Sequence, residues 1–134
     1  MANLAKIEGI GPTYAEKLKK TGITTTEALL EKGATVNGRH EIAEMSGISV
    51  EKVLRWVNLS DLFRVKGIGE EYSDLLEAAG VDTVPEMAQR NPENLYEMLV
   101  TVNREKNLVR QIPSQTTVKT WIENAKTLPE IIKY

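Results

Sequence analysis

Apolar residues recur at intervals of three and four along nearly the whole chain, and the two-residue alternation of a half-buried strand is almost absent. An all-α fold is therefore expected. The pattern also repeats. A shift of 58 positions lays Leu4 on Leu62, Ile7 on Val65 and Gly9-Ile10-Gly11 on Gly67-Ile68-Gly69, then Tyr14 on Tyr72, Leu18 on Leu76, Gly22 on Gly80 and Thr25 on Thr83. Towards the ends, VLRWV (53–57) matches VKTWI (118–122) at a shift of 65, so the second copy carries about seven extra residues, placed near 103–114.

Local signals punctuate the helices. Pro12 suits a first helical turn, Gly22 and Gly80 suit left-handed stops, and Thr24-x-x-Glu27 and Thr83-x-x-Glu86 read as capping boxes. Ser49 and Asn91-Pro92 mark further starts. Each copy, 1–60 and 61–134, is expected to hold a short opening helix, the glycine turn, a second helix and three more helices. The last is anchored by Trp56 or Trp121, with Leu54 and Phe63 also read as core residues.

Composition narrows the classes of function. With 134 residues and 41% hydrophobic content the chain can bury a core, and without cysteine it has no disulfide framework, thiolate nucleophile or thiolate metal site. No apolar run approaches the roughly 18 residues of a spanning helix, and no basic-then-apolar leader opens the sequence, so the expected address is cytoplasmic with no membrane partner. Net charge is −2, unlike a dedicated nucleic-acid binder. Its distribution matters more. Residues 1–60 hold eight basic and seven acidic side chains, and residues 61–134 hold nine and twelve, so the first half is the better seat for an anion.

The Gly-Ile-Gly turn is where chemistry is expected. A dinucleotide fingerprint would need a third glycine where Tyr14 or Tyr72 stands, and a preceding buried strand. A phosphate loop would need Gly-Lys-Ser/Thr where the chain has Gly-Pro-Thr and Gly-Glu-Glu. Neither pattern fits. What remains is a tight corner in which Ile10 or Ile68 plugs inward while amide N–H groups face outward at a helix N-terminus, where the helix dipole favours an anion.

The stretch IEGIGPTYAEKLKKTGI resembles a helix-hairpin-helix motif, the backbone-phosphate clamp of many DNA repair and recombination proteins. Extended through TTTEALLEKGATVNGRHEIAEMSGISVEKVLRWV, the match resembles the N-terminal domain of archaeal and eukaryotic RecA-like recombinases, and more loosely the C-terminal domain of the RNA polymerase alpha subunit. As a whole, the doubled pattern is similar to an uncharacterised bacterial family of tandem helix-hairpin-helix proteins, a domain of unknown function. The resemblance implies two five-helix, SAM-like units packed as one compact molecule. It further implies phosphate contacts from Gly9, Ile10, Gly11 and Thr13, with Lys17, Lys19 and Lys20 following on the helix, and turn carbonyls able to hold a structural monovalent cation.

The two copies differ in charge. Residues 6–20 carry Lys6, Lys17, Lys19 and Lys20 against Glu8 and Glu16, whereas residues 64–77 carry Arg64 and Lys66 against Glu70, Glu71, Asp74 and Glu77. Glu70 and Glu71 stand where a phosphate would approach, so Gly67, Ile68 and Gly69 are read as a structural corner. The plain alternative for the first turn is a compact helical corner with a solvated lysine face. His40, alone, reads as a surface or capping residue rather than a ligand or base, and no nucleophile–base set can be assembled. No small-molecule substrate is indicated. The expected function is therefore non-enzymatic, sequence-nonspecific binding of nucleic-acid backbone. The alternative is a protein-interaction scaffold using the second turn or the 103–114 segment, with Arg104, Lys106, Arg110 and the apolar Leu108, Val109 and Ile112 read as exposed.

Overall fold

Short polar side chains set most helix starts in the computed structural model, which describes residues 3–7 and 9–134. Those residues form eight α-helices and no strand, with one isolated β-bridge between Asn3 and Thr25. The helices are α1 Pro12–Lys19, α2 Thr26–Lys32, α3 Val36–Ser46, α4 Val50–Leu62, α5 Glu70–Ala78, α6 Val84–Ala88, α7 Pro92–Lys106 and α8 Gln115–Thr127. Thr25, Thr35, Thr83, Asn91 and Ser114 each accept a hydrogen bond from the backbone N–H three residues on, at 3.0–3.4 Å. The cap of α2 is thus Thr25, not the expected Thr24. Thr25 has the extended backbone a cap needs (φ −130°, ψ 162°), and Thr26 is already helical and buried.

Both glycine stops form. In the first, Ile23 N–H donates to Leu18 and Gly22 N–H to Lys19; in the second, Val81 N–H donates to Leu76 and Gly80 N–H to Glu77. Gly22 and Gly80 sit at φ 88° and 93°, and the residue pairs Ile23/Leu18 and Val81/Leu76 are buried, which completes the same Schellman stop in each copy. At α6, a hydrogen bond with the Asp82 side chain holds the Glu86 carboxyl below its ordinary range despite partial burial, and the Thr83 hydroxyl and the Arg90 charge add to this.

The chain divides into two units, residues up to Asp61 together with Ile131–Tyr134, and Leu62–Glu130. The first holds a 3-10 turn at Leu4–Lys6 and α1 to α4 around Leu4, Ile7, Leu18, Ile42, Val53 and Trp56. The second packs α5 to α8 around Leu76, Val81, Leu95, Leu99, Trp121 and Ile122. It has four helices where five were expected, because residues 63–67 form turns after α4 ends at Leu62. Leu54 and Phe63, read as core anchors, are only half-buried.

The extra residues of the second copy lengthen α7 and then fold back onto its own unit. Asn103 brackets Val109, its side-chain amide donating to the Val109 carbonyl (3.0 Å) and its oxygen accepting from the Val109 N–H (2.9 Å). Val109 is buried and Ile112 packs on the core, so only Leu108 of the three apolar residues is exposed as expected.

Residues Ile131–Tyr134 dock on the first unit through Arg39, which is 4% exposed. Its guanidinium donates to the carbonyls of Gly33 and Lys133, both at 2.8 Å, and faces the Tyr134 ring at 5.7 Å. Lys133 N–H donates to Ala34, and the Tyr134 hydroxyl donates to Asn58. Arg39→Ala strips two carbonyls of their donor, and we expect a loss of about 2–4 kcal/mol. Denaturant titration measures that loss, and native-state exchange at the Lys133 amide reports whether the tail leaves; an Arg39→Ala protein with wild-type stability would show the fork to be dispensable.

Candidate functional site

The two glycine turns share one backbone. Gly9 and Gly67 both adopt φ 94°, Ile10 and Ile68 are each 5% exposed, and Ile10 N–H and Ile68 N–H each donate to the carbonyl three residues back at 3.2 Å. Gly11 and Gly69 then enter α1 and α5 in extended conformation without a side-chain cap. A tryptophan from the last helix of the unit lies beneath each turn. A Cβ at Gly9 would meet Trp56 Nε1 at 3.6 Å and Arg55 Nη1 at 3.0 Å, and a Cβ at Gly67 would meet Trp121 Nε1 at 3.0 Å. Positive φ favours glycine at both positions, and at Gly67 the indole also crowds any Cβ.

Tyr14 and Tyr72, whose sequence position suits either core or surface, are half-buried on these indoles. The Tyr14–Trp56 and Tyr72–Trp121 rings are both 5.2 Å apart, tilted at 60° and 57°. The shape of the turn has been duplicated down to its aromatic support.

The helix starts do not match. At both starts the first N–H groups lie outside the intrahelical ladder, but the first turn of α1 holds Pro12 and the exposed Thr13 with no acid. The first turn of α5 holds Glu70 and Glu71, which complement the helix dipole from within. Gly9, Gly11, Thr13, Lys19 and Lys20 are exposed, whereas Lys17 is half-buried with its ammonium 5.7 Å from the Tyr14 ring centre. Among the described residues none of these three lysines is in an ion pair.

The lysines do not form one row. Lys19 shares a shallow groove of about 280 Å³ with Glu16, Pro12, Ala15, Asn3, Leu4 and Thr24, so a carboxylate stands beside it. Glu8, the other acid of this segment, lies outside the described residues. Lys17 is turned instead towards Tyr14, where α4 brings a cation that sequence reasoning missed: the Lys52 ammonium lies 5.8 Å from the same ring. The signal was present but distant, since the matched VLRWV and VKTWI place Lys52 and Arg55 opposite Thr117 and Thr120.

His40 is exposed on α3, and among the described residues no group of three or more histidine and acidic side chains is placed to hold a metal ion. Among the same residues no helix is long and apolar enough to cross a membrane.

No match to a curated protein or to a solved structure was found. The model of a family described as a domain of unknown function, DUF4332, matches residues 8–128, and with most of its length covered the chain belongs to that family.

Proposed function

We propose that this chain is a non-enzymatic module that binds the nucleic-acid backbone, without sequence specificity, through the turn at Gly9, Ile10 and Gly11. In this reading each unit is a helix-hairpin-helix repeat of the kind found in the N-terminal domain of RecA-like recombinases. The first hairpin is the binding one and the second a structural copy. The observation that supports the assignment is the contrast at the two helix starts: equal backbones, but an acid-free first turn with unpaired lysines in one and Glu70 and Glu71 in the other. Amide and lysine contacts to phosphate carry no base information, which is why no sequence preference is proposed.

The rival scaffold reading loses support in the 103–114 segment, because Val109 and Ile112 turn inward. Binding to duplex DNA should weaken with salt with a log–log slope of roughly −0.9 per phosphate neutralised. Replacing Lys17, Lys19 and Lys20 by glutamate should lower affinity roughly tenfold or more at low salt. Fluorescence anisotropy across a salt series tests both, and the absence of any salt-sensitive binding at micromolar protein rejects the proposal.

A further inference from the structure

We infer that Lys52 of α4 is a second cationic arm of the first-unit site, gathered with Lys17 at the Tyr14 ring and contacting phosphate as Lys17 does. This rests on the backbone-binding reading and adds to it a residue outside the glycine turn and its helix. Two ammonium groups lie within about 6 Å of one ring centre, the range in which a cation is drawn to an aromatic face. Among the described residues neither ammonium has a carboxylate or hydrogen-bond partner, so neither charge at this ring is offset by an acid. A polyanionic backbone passing the ring would supply that counter-charge to both. The ring they share is held in turn by Trp56, the residue under the glycine turn, so one aromatic pair fixes the exposed amides and both cations in a single frame.

The second unit serves as an internal comparison. It keeps the aromatic pair, Tyr72 on Trp121, but has Leu75 where the first unit has Lys17 and Thr117 where it has Lys52. Stacking therefore needs no lysine, and the two cations are an addition specific to the unit whose helix start is free of acid.

Duplex DNA affinity of the full chain, measured by anisotropy between about 50 and 200 mM salt, tests the inference. Lys52→Gln should weaken binding several-fold and make the log–log slope shallower by about 0.9, the share of one phosphate contact. Lys126→Gln, an exposed lysine in the last turn of α8, should change neither. As a positioning residue, Tyr14 should tolerate phenylalanine and lose affinity on change to leucine, with circular dichroism confirming that the helices persist. Lys52 is exposed, so its variant reads the site even where Tyr14→Leu does not fold. Should the wild-type chain bind while Lys52→Gln behaves as Lys126→Gln does, the arm is overturned and the hairpin reading stands. A wild-type chain that does not bind overturns both.

Discussion

Trp56→Ala is expected to destabilise the first unit by about 3–5 kcal/mol, the range for truncating a buried tryptophan. The side chain is 1% exposed, stacks on Tyr14 and lies under Gly9, so its loss removes packing atoms from α4, α1 and the turn at once. The turn cannot fill the space, because Gly9 contributes no side chain, and Tyr14 loses its stacking partner. Trp121→Ala should do the same to the second unit, where Trp121 is 2% exposed and contacts Tyr72 and Gly67. Native-state hydrogen exchange resolves each effect. Protection should fall in α1 and α4 for the first variant and in α5 and α8 for the second. Uniform protection in Trp56→Ala at wild-type stability would disprove the shared-support account of the turn.

Gly38→Ala is the second large effect, and its sign is the informative part. Gly38 is inside α3, where alanine is favoured over glycine by about 1 kcal/mol, so propensity alone predicts stabilisation. A Cβ there runs into the backbone carbonyl of Lys32 and comes within 3.1 Å of Thr35 Oγ1. No rotamer relieves a clash with backbone, and overpacking of this kind costs about 1–3 kcal/mol or more. The clash wins, and a net loss of about 2 kcal/mol or more is expected. Asn37→Ala, one residue earlier and exposed, should be close to neutral in the same denaturant titration. A stabilised Gly38→Ala protein would show that α2 can slide from α3 without loss.

Helical period, repeat register and stops were readable because each depends on neighbours within a few residues. Gly22 and Gly80 end helices by their own backbone freedom, and Thr83 and Asn91 cap by reaching three residues on. Thr24 was misread for the same local reason: three consecutive threonines offer three starts, and the spacing to Glu27 selects the wrong one. The repeat register, which pairs Thr25 with Thr83, identifies the right one.

Val109 and Ile112 were misread because basic neighbours hide apolar residues that turn inward, and the Asn103 bracket that turns Val109 leaves no periodic trace. The candidate site was readable in part. Its glycines and the charge reversal between copies are local, but Lys52 joins Lys17 only through the packing of α4 on α1. Arg39 gave no sign at all, since a fully buried guanidinium in a polar stretch depends on partners far along the chain.

That last distance also sets an order of events during synthesis. Arg39 and Lys133 are 94 residues apart, so at roughly 5–20 residues per second the ribosome delivers the second carbonyl about five to twenty seconds after the guanidinium. Through that interval the Arg39 guanidinium can reach the Gly33 carbonyl but not that of Lys133, and the first unit lacks its closing segment. Only a chain translated through Lys133 completes the Arg39 fork, so the first unit is completed after the second.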